Sequence, residues 1–276
     1  MVLMKRRRFL TVALGTGISG LFLWLAFREL QPAQVWANIQ QAQVGWLGIG
    51  AIVYFAAVTV IALRWQFLLR TIHHVPLKQL TPLVAIGYMG NNVYPFRAGE
   101  ALRIFLLYRN HRIPIGRATT TVAVERTFDG VVMVSFILFS LLWIDIQSET
   151  VETIINIAAP IFFTAVIIFL ALAARPQILK KLAYTIARPL PEKLGGIITS
   201  IADEIHEGLA GLRSPLHLSG MIISSYTTWA IEASVYWLVM VAFGFDAPYI
   251  VALLVVGTVN LAGLIPASPG QVGVYE

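Results

Sequence analysis

Arg97, Glu100 and Arg103 stand three residues apart inside an otherwise apolar stretch. On a helix that spacing gathers both guanidinium groups and the carboxylate on one face. Arginine forks grip phosphate oxygens bidentately, and a helix N-terminus adds backbone N–H groups and the positive end of its dipole, so the chemistry on offer is recognition of a phosphate. A triad that only neutralises itself is the other reading, because buried charges also pair for structure. A second group, Glu125, Arg126 and Asp129, puts two carboxylates one turn apart on one face. They are natural counter-ions for Arg97 or Arg103, either as a structural cross-link or as competitors for the phosphate. Glu232 stands within Trp229 to Ser234 with no charged neighbour in a helical turn, which leaves it neutral or carrying a proton or ion. Ser268, Pro269, Gly270 and Gly273 form a fourth group, whose small residues admit close backbone approach to a ligand.

These residues need elements that can hold charge in lipid. An ionisable side chain at bilayer depth costs about 2.5 to 3.5 kcal/mol, so it persists only when paired, water-lined or used. The chain is 276 residues long, 58% hydrophobic and 12% charged. Its mean hydropathy of +0.76 excludes a soluble globular protein. Apolar runs long enough to span occur near 9 to 27, 44 to 63, 79 to 107, 118 to 144, 153 to 174, 216 to 243 and 249 to 265. None alternates polar and apolar as a barrel strand does, so the expected class is an all-α polytopic membrane protein.

The net charge of +6 is spread between the apolar runs and not gathered on one patch. That distribution excludes nucleic acid as a partner and favours anionic or phosphate-bearing membrane lipids. With no cysteine, disulfides and thiol chemistry are excluded. His73, His74, His111, His206 and His217 show no ligand spacing, so no metal is expected. Walker, Rossmann, zincin and Gly-x-Ser-x-Gly patterns are missing, and no catalytic residue or cofactor is assigned.

Charge also orients the spans. Lys5 to Arg8 set the N-terminus in the cytoplasm, and the segment bearing Arg64, Arg70 and Lys78 returns there. The run 79 to 107 then begins beside Lys78 and ends beside Arg109, Arg112 and Arg117, so both flanks are cytoplasmic. One crossing cannot satisfy both. The expected solution is a re-entrant hairpin turning between Asn91 and Glu100, where Asn92, Pro95 and Gly99 break the helix. The last run ends in Asn260, Pro266, Gly270 and Glu276, repeating the order Asn, Pro, Gly, Glu. A second hairpin entering from outside makes an inverted repeat, about 9 to 144 and 153 to 276, a transporter architecture. On that expectation the second repeat is C-terminally incomplete and the natural sequence continues past Glu276.

Between the halves, 175 to 215 reads as a cytoplasmic amphipathic segment. Ile198, Ile201, Ile205, Leu209 and Leu212 form its apolar face, and Pro189, Pro191 and Gly195-Gly196 part it from a basic helix around Lys180-Lys181. It ties the two bundle halves together at the membrane interface or docks a partner.

Asn91-Asn92 to Pro95, Arg97, Gly99-Glu100 and Arg103, with Glu125-Arg126, Asp129, Ser268-Pro269-Gly270, Gly273, Tyr275 and Glu276, resemble the lysylphosphatidylglycerol synthase transmembrane region family, the flippase-like integral membrane proteins. The resemblance covers nearly the whole chain, although Gly270-Gln271 stands where the family commonly has Gly-Gly. It implies a multi-span inner-membrane protein that moves modified lipids between leaflets. The expected headgroup site is Asn91, Asn92, Pro95, Arg97, Gly99, Glu100, Arg103, Glu125, Arg126, Asp129, Ser268, Pro269, Gly270, Gly273 and Glu276, with Glu232 as a proton or ion coupler. Two alternatives stand beside it: a membrane-embedded lipid transferase using Glu100 or Glu125 as general base, and an accessory subunit of a lipid-modifying or glycosyltransferase system.

Overall fold

A computed structural model describes residues 32–70, 72–93, 98–144, 175–189, 191–209 and 214–262, together with Pro160, Phe163, Thr164, Ile167, Ala171 and Leu212. Among them the chain is all helix: α1 Pro32–Gln41, α2 Val44–Leu69, α3 Leu77–Val93, α4 Ala98–His111, α5 Ile115–Leu141, α6 Pro176–Ala187, α7 Glu192–Gly208, α8 Pro215–Ala242 and α9 Tyr249–Ala262. Proline opens several of them. Pro176 and Pro215 occupy the first turn of α6 and α8, and Pro114 and Pro191 cap α5 and α7, positions where a missing N–H costs nothing. Gly244, with φ +77°, ends α8 in the left-handed conformation that only glycine adopts freely.

α2 is the one described helix both long and apolar enough to cross a membrane, and Tyr249–Leu261 is a shorter apolar helix. α2 is apolar all round. Ile61, Trp65 and Leu69 face the protein while Ile52 and Phe55 are exposed, the pattern of a helix solvated by lipid on one side. α8 runs antiparallel beside it: Gly220 lies against Phe67, Gly50 against Leu238, and the Gln43 amide donates to the Ala242 carbonyl at 2.8 Å. α9 folds back along the second half of α5, where Gly257 meets Ile137 and the Ser140 hydroxyl donates to the Ile250 carbonyl.

The run 79 to 107 is two helices, α3 and α4, separated by residues 94–97. They pack antiparallel, since Gly90 meets Gly99 and Gly87 meets Arg103. Gly99 has no room for a side chain: a Cβ there would collide with the Gly87 carbonyl and the Asn91 side chain. Glycine here is a requirement of close backbone approach.

The segment after residue 175 departs from its expected form in two places. Gly195 and Gly196 do not break the helix but lie inside α7, where Gly195 lets the α6 end at Ala187 come close. Ile201 does not share the buried face. Ala202, Ile205, Leu209 and Leu212 pack inward, whereas Leu194, Ile197 and Ile201 are each about half exposed, because α7 carries two apolar stripes and not one. α7 lies against the start of α5 through Gly208 on Thr120 and an ion pair from Arg117 to Glu207.

Among the described residues two apolar cores result. One gathers Trp65, Leu69, Leu80, Leu107 and Val124; the other gathers Met133, Trp229, Ala233, Leu253 and Val256. On α5 the charged residues 125, 126 and 129 fall at the junction of the two.

Candidate functional site

Three helices, α2, α4 and α5, bring charge to that junction, and α8 adds an indole N–H donor. From α5, Glu125 is fully buried and accepts from three arginines: Arg64 of α2 at 2.8 Å, its neighbour Arg126 at 2.8 Å, and Arg103 of α4, whose fork spans both carboxylate oxygens at 3.4 and 3.2 Å. Asp129, one turn on, accepts from Arg64 and from the Trp229 indole N–H of α8 at 2.7 Å. Its other oxygen lies 3.1 Å from Arg126, too poorly aligned for a hydrogen bond. Arg126 is also 3.7 Å from Glu100 of α4. Among the described residues three arginines thus face three carboxylates, and this set is neutral.

Neutrality and interlocking make the cluster tenable in a low-dielectric setting, because each charge has a partner and several hydrogen bonds. Aromatic rings complete its walls. Arg103 stacks over Trp65 at 4.4 Å, and the Trp65 indole donates to Thr121 at 3.0 Å. The cluster has a closed end and an open one. Arg64, Arg103 and Glu125 are sealed, while the side chains of Arg126 and Glu100 keep about a quarter of their surface exposed. The buried Nε–H groups of Arg64, Arg103 and Arg126, and the side-chain oxygen of Asn91, have no partner among the described residues. The three N–H groups are spare donors, and the Asn91 oxygen is a spare acceptor.

The structure therefore brings together Glu100, Arg103, Glu125, Arg126 and Asp129 of the expected site, with Gly99 and Asn91 at the α3–α4 contact behind them. Arg103 and Glu100 do not pair with each other. Arg103 reaches across to α5 and Glu100 to Arg126, so the pairing is between helices and not within α4. Asn92 is exposed near the end of α3. Pro95, Arg97, Ser268, Pro269, Gly270, Gly273 and Glu276 lie outside the described residues, as do the runs at 9 to 27 and, in the main, 153 to 174.

Arg64 is the cluster residue that charge patterning missed. Counted as one of the basic residues following a span, it lies inside α2 and is completely buried. Two signals point to it: it is the one charge in the 26 residues of α2, and Glu125 with Asp129 outnumber Arg126 at the same depth of α5. Among the described residues no group of three or more metal-ligating side chains occurs.

Comparison with known proteins places this geometry in context. The family model for the lysylphosphatidylglycerol synthase TM region matches residues 12–276. Glycosyltransferase AglD of Haloferax volcanii is 25% identical over 301 residues, taking in 98% of this chain and 48% of AglD, so the chain spans about half the length of that relative. A UPF0104 membrane protein of Methanothermobacter thermautotrophicus is 21% identical across 99% of this chain and 84% of its own length. The UPF0104 membrane protein MJ1595 of Methanocaldococcus jannaschii is 34% identical over 83 residues, which are 29% of this chain and 25% of the relative. No solved structure matches.

Proposed function

The chain belongs to the lysylphosphatidylglycerol synthase transmembrane region family of membrane proteins, and from that premise we propose that it moves a phospholipid or modified lipid between leaflets, binding the headgroup at the open end of the charged cluster. The observation that carries this reading is the neutral set of three arginines and three carboxylates with spare N–H donors at its core and Arg126 and Glu100 at its rim. A headgroup phosphate that takes an arginine displaces a carboxylate, and the carboxylate re-pairs that arginine when the lipid leaves. Binding and release then avoid an unpaired buried charge at every step. Arg97, Asn91 and Asn92 at the α3–α4 turn, and Ser268 to Glu276 at the second turn, complete the site in this proposal.

The proposal includes a topology: a multi-pass inner-membrane protein with a cytoplasmic N-terminus, in which α3 and α4 are the arms of a re-entrant hairpin and the two turns are related by an inverted repeat. Helix lengths support it. At a rise of about 1.5 Å per residue, α3 and α4 reach about 26 and 21 Å, short of a hydrocarbon core about 30 Å thick. Single cysteines introduced at Gln79 and Tyr108, both exposed in a chain with no native cysteine, are expected to react with an impermeant reagent from the cytoplasmic side only. Labelling from opposite sides rules out the hairpin and the repeat.

The similarity to AglD favours a second reading, in which the chain is a lipid transferase or the membrane partner of one. Translocation of labelled phospholipid in reconstituted vesicles separates the two. Transport without any soluble donor is expected; product formation with an activated sugar or aminoacyl donor and no translocation supports the transferase reading instead.

A further inference from the structure

Ile178, Leu182 and Ile186 recur every four residues along one face of α6, and Leu194, Ile197 and Ile201 follow one face of α7; each side chain is about half exposed. The two faces make one surface. α7 packs back along α6, with Ala183 buried and Gly195 against Ala187. Counted at about 100° per residue, each exposed stripe is turned about a third of a revolution from that contact line and in the same sense. In an antiparallel pair this sets both stripes on one side. Continued by one and two turns, the α7 stripe reaches Glu204 and Gly208, which lie against Gly116 and Thr120 of α5. The surface is thereby held at the first turns of α5, the end that the proposed topology makes cytoplasmic.

The charge around this surface has one sign. Residues 175 to 193 hold five basic residues against one acid, and Arg175, Lys181 and Arg188 are exposed. Lys181 borders the α6 stripe three residues after Ile178, where a lysine stem covers apolar surface and keeps its ammonium in the headgroup layer. The acids of α7 lie toward α5 instead: Glu207 pairs with Arg117, and Glu204 sits on Gly116. Short joins keep the pair near the bilayer, since Arg175 follows the apolar run 153 to 174 directly and six residues, 209 to 214, lead from α7 into α8. From this placement we infer that the α6–α7 pair lies on the cytoplasmic leaflet and binds anionic lipid there, at a surface separate from the charged cluster. The isoleucines and leucines enter the boundary between headgroups and acyl chains, and the basic residues meet the anionic headgroups. This contact stands whether or not the cluster handles a headgroup.

Spin labels on single cysteines test it in the full chain, held one copy per nanodisc in phosphatidylcholine alone or in equal parts with phosphatidylglycerol. With phosphatidylglycerol present, labels at Leu182→Cys and Ile201→Cys are expected about 5 to 10 Å below the headgroups, more accessible to oxygen than to a water-soluble nickel chelate. Labels at Gln177→Cys and Gly196→Cys, exposed on other faces, should show the reverse. Combining Arg175→Gln, Lys181→Gln and Arg188→Gln should lower the ratio of seated to free label about fivefold for each residue removed. All these positions are exposed, so the fold is kept. Labels at Leu182→Cys and Ile201→Cys that stay open to the nickel chelate in both discs overturn the inference and leave the surface to a soluble partner. Equal burial in both discs, unmoved by the three glutamines, overturns it as well, because another segment of the chain and not anionic lipid then covers the stripes.

Discussion

Arg64→Met is expected to destabilise the protein by about 3 to 5 kcal/mol, as removal of one member of a buried ionic group does when it strands the others. The side chain has similar reach and no charge, so the loss is electrostatic and not a cavity. Two arginines would then face three carboxylates, and Glu125 and Asp129 would each lose an N–H donor. The cluster's charge count gives a sharper consequence. Adding Asp129→Asn restores two against two, and the amide oxygen still accepts from Trp229. The double variant should recover about 1 to 3 kcal/mol of the loss, the range of coupling between residues in direct contact. Thermal unfolding in one detergent reads both values. Additive losses in the double variant mean that charge balance is not what holds the junction.

Glu125→Gln should be as costly, for the opposite reason. Glu125 is the one carboxylate that all three arginines touch, and its loss leaves three cations against two anions. The destabilisation is again about 3 to 5 kcal/mol. This variant tests ligand chemistry as well as stability. If the headgroup phosphate competes with Glu125, an anionic lipid can supply the missing charge. Dioctanoyl phosphatidylglycerol should then stabilise Glu125→Gln, by about 2.7 kcal/mol at a hundredfold excess over the variant's Kd, and the native chain less at the same concentration, while phosphatidylcholine stabilises the variant less. Transport should slow, because the group that returns the arginine is gone. Equal stabilisation of both proteins by both lipids places the headgroup elsewhere.

Much of the helical framework was legible in the apolar runs. Those at 44 to 63, 118 to 144 and 216 to 243 correspond to the helices α2, α5 and α8 to within a few residues at most boundaries, and of these α2 is long and apolar enough to cross a membrane. The break in 79 to 107 was marked by Asn92, Pro95 and Gly99. Which helices face each other was not legible. Arg64 was read as a flanking charge because the positive-inside rule weighs basic residues near span ends and knows nothing of partners. Its burial follows from α2 lying beside α5, a tertiary fact. For the same reason Arg103 and Glu100, well spaced to pair along α4, each chose α5 instead. The two stripes of α7 were read as one, because helical periodicity reports apolar faces without saying which neighbour covers each.

The central claim, that an arginine fork in this cluster handles a lipid headgroup during transport, is tested most directly by phospholipid translocation in vesicles containing Arg126→Lys, since Arg126 is the cluster arginine at the open end. Lysine keeps the charge that Glu100, Glu125 and Asp129 face but loses the planar guanidinium that reaches all three. The variant should fold and reconstitute. Its translocation rate should fall roughly tenfold or more, equivalent to about 1.4 kcal/mol of barrier. A folded Arg126→Lys that moves lipid at the native rate would contradict the account and leave the cluster a structural cross-link.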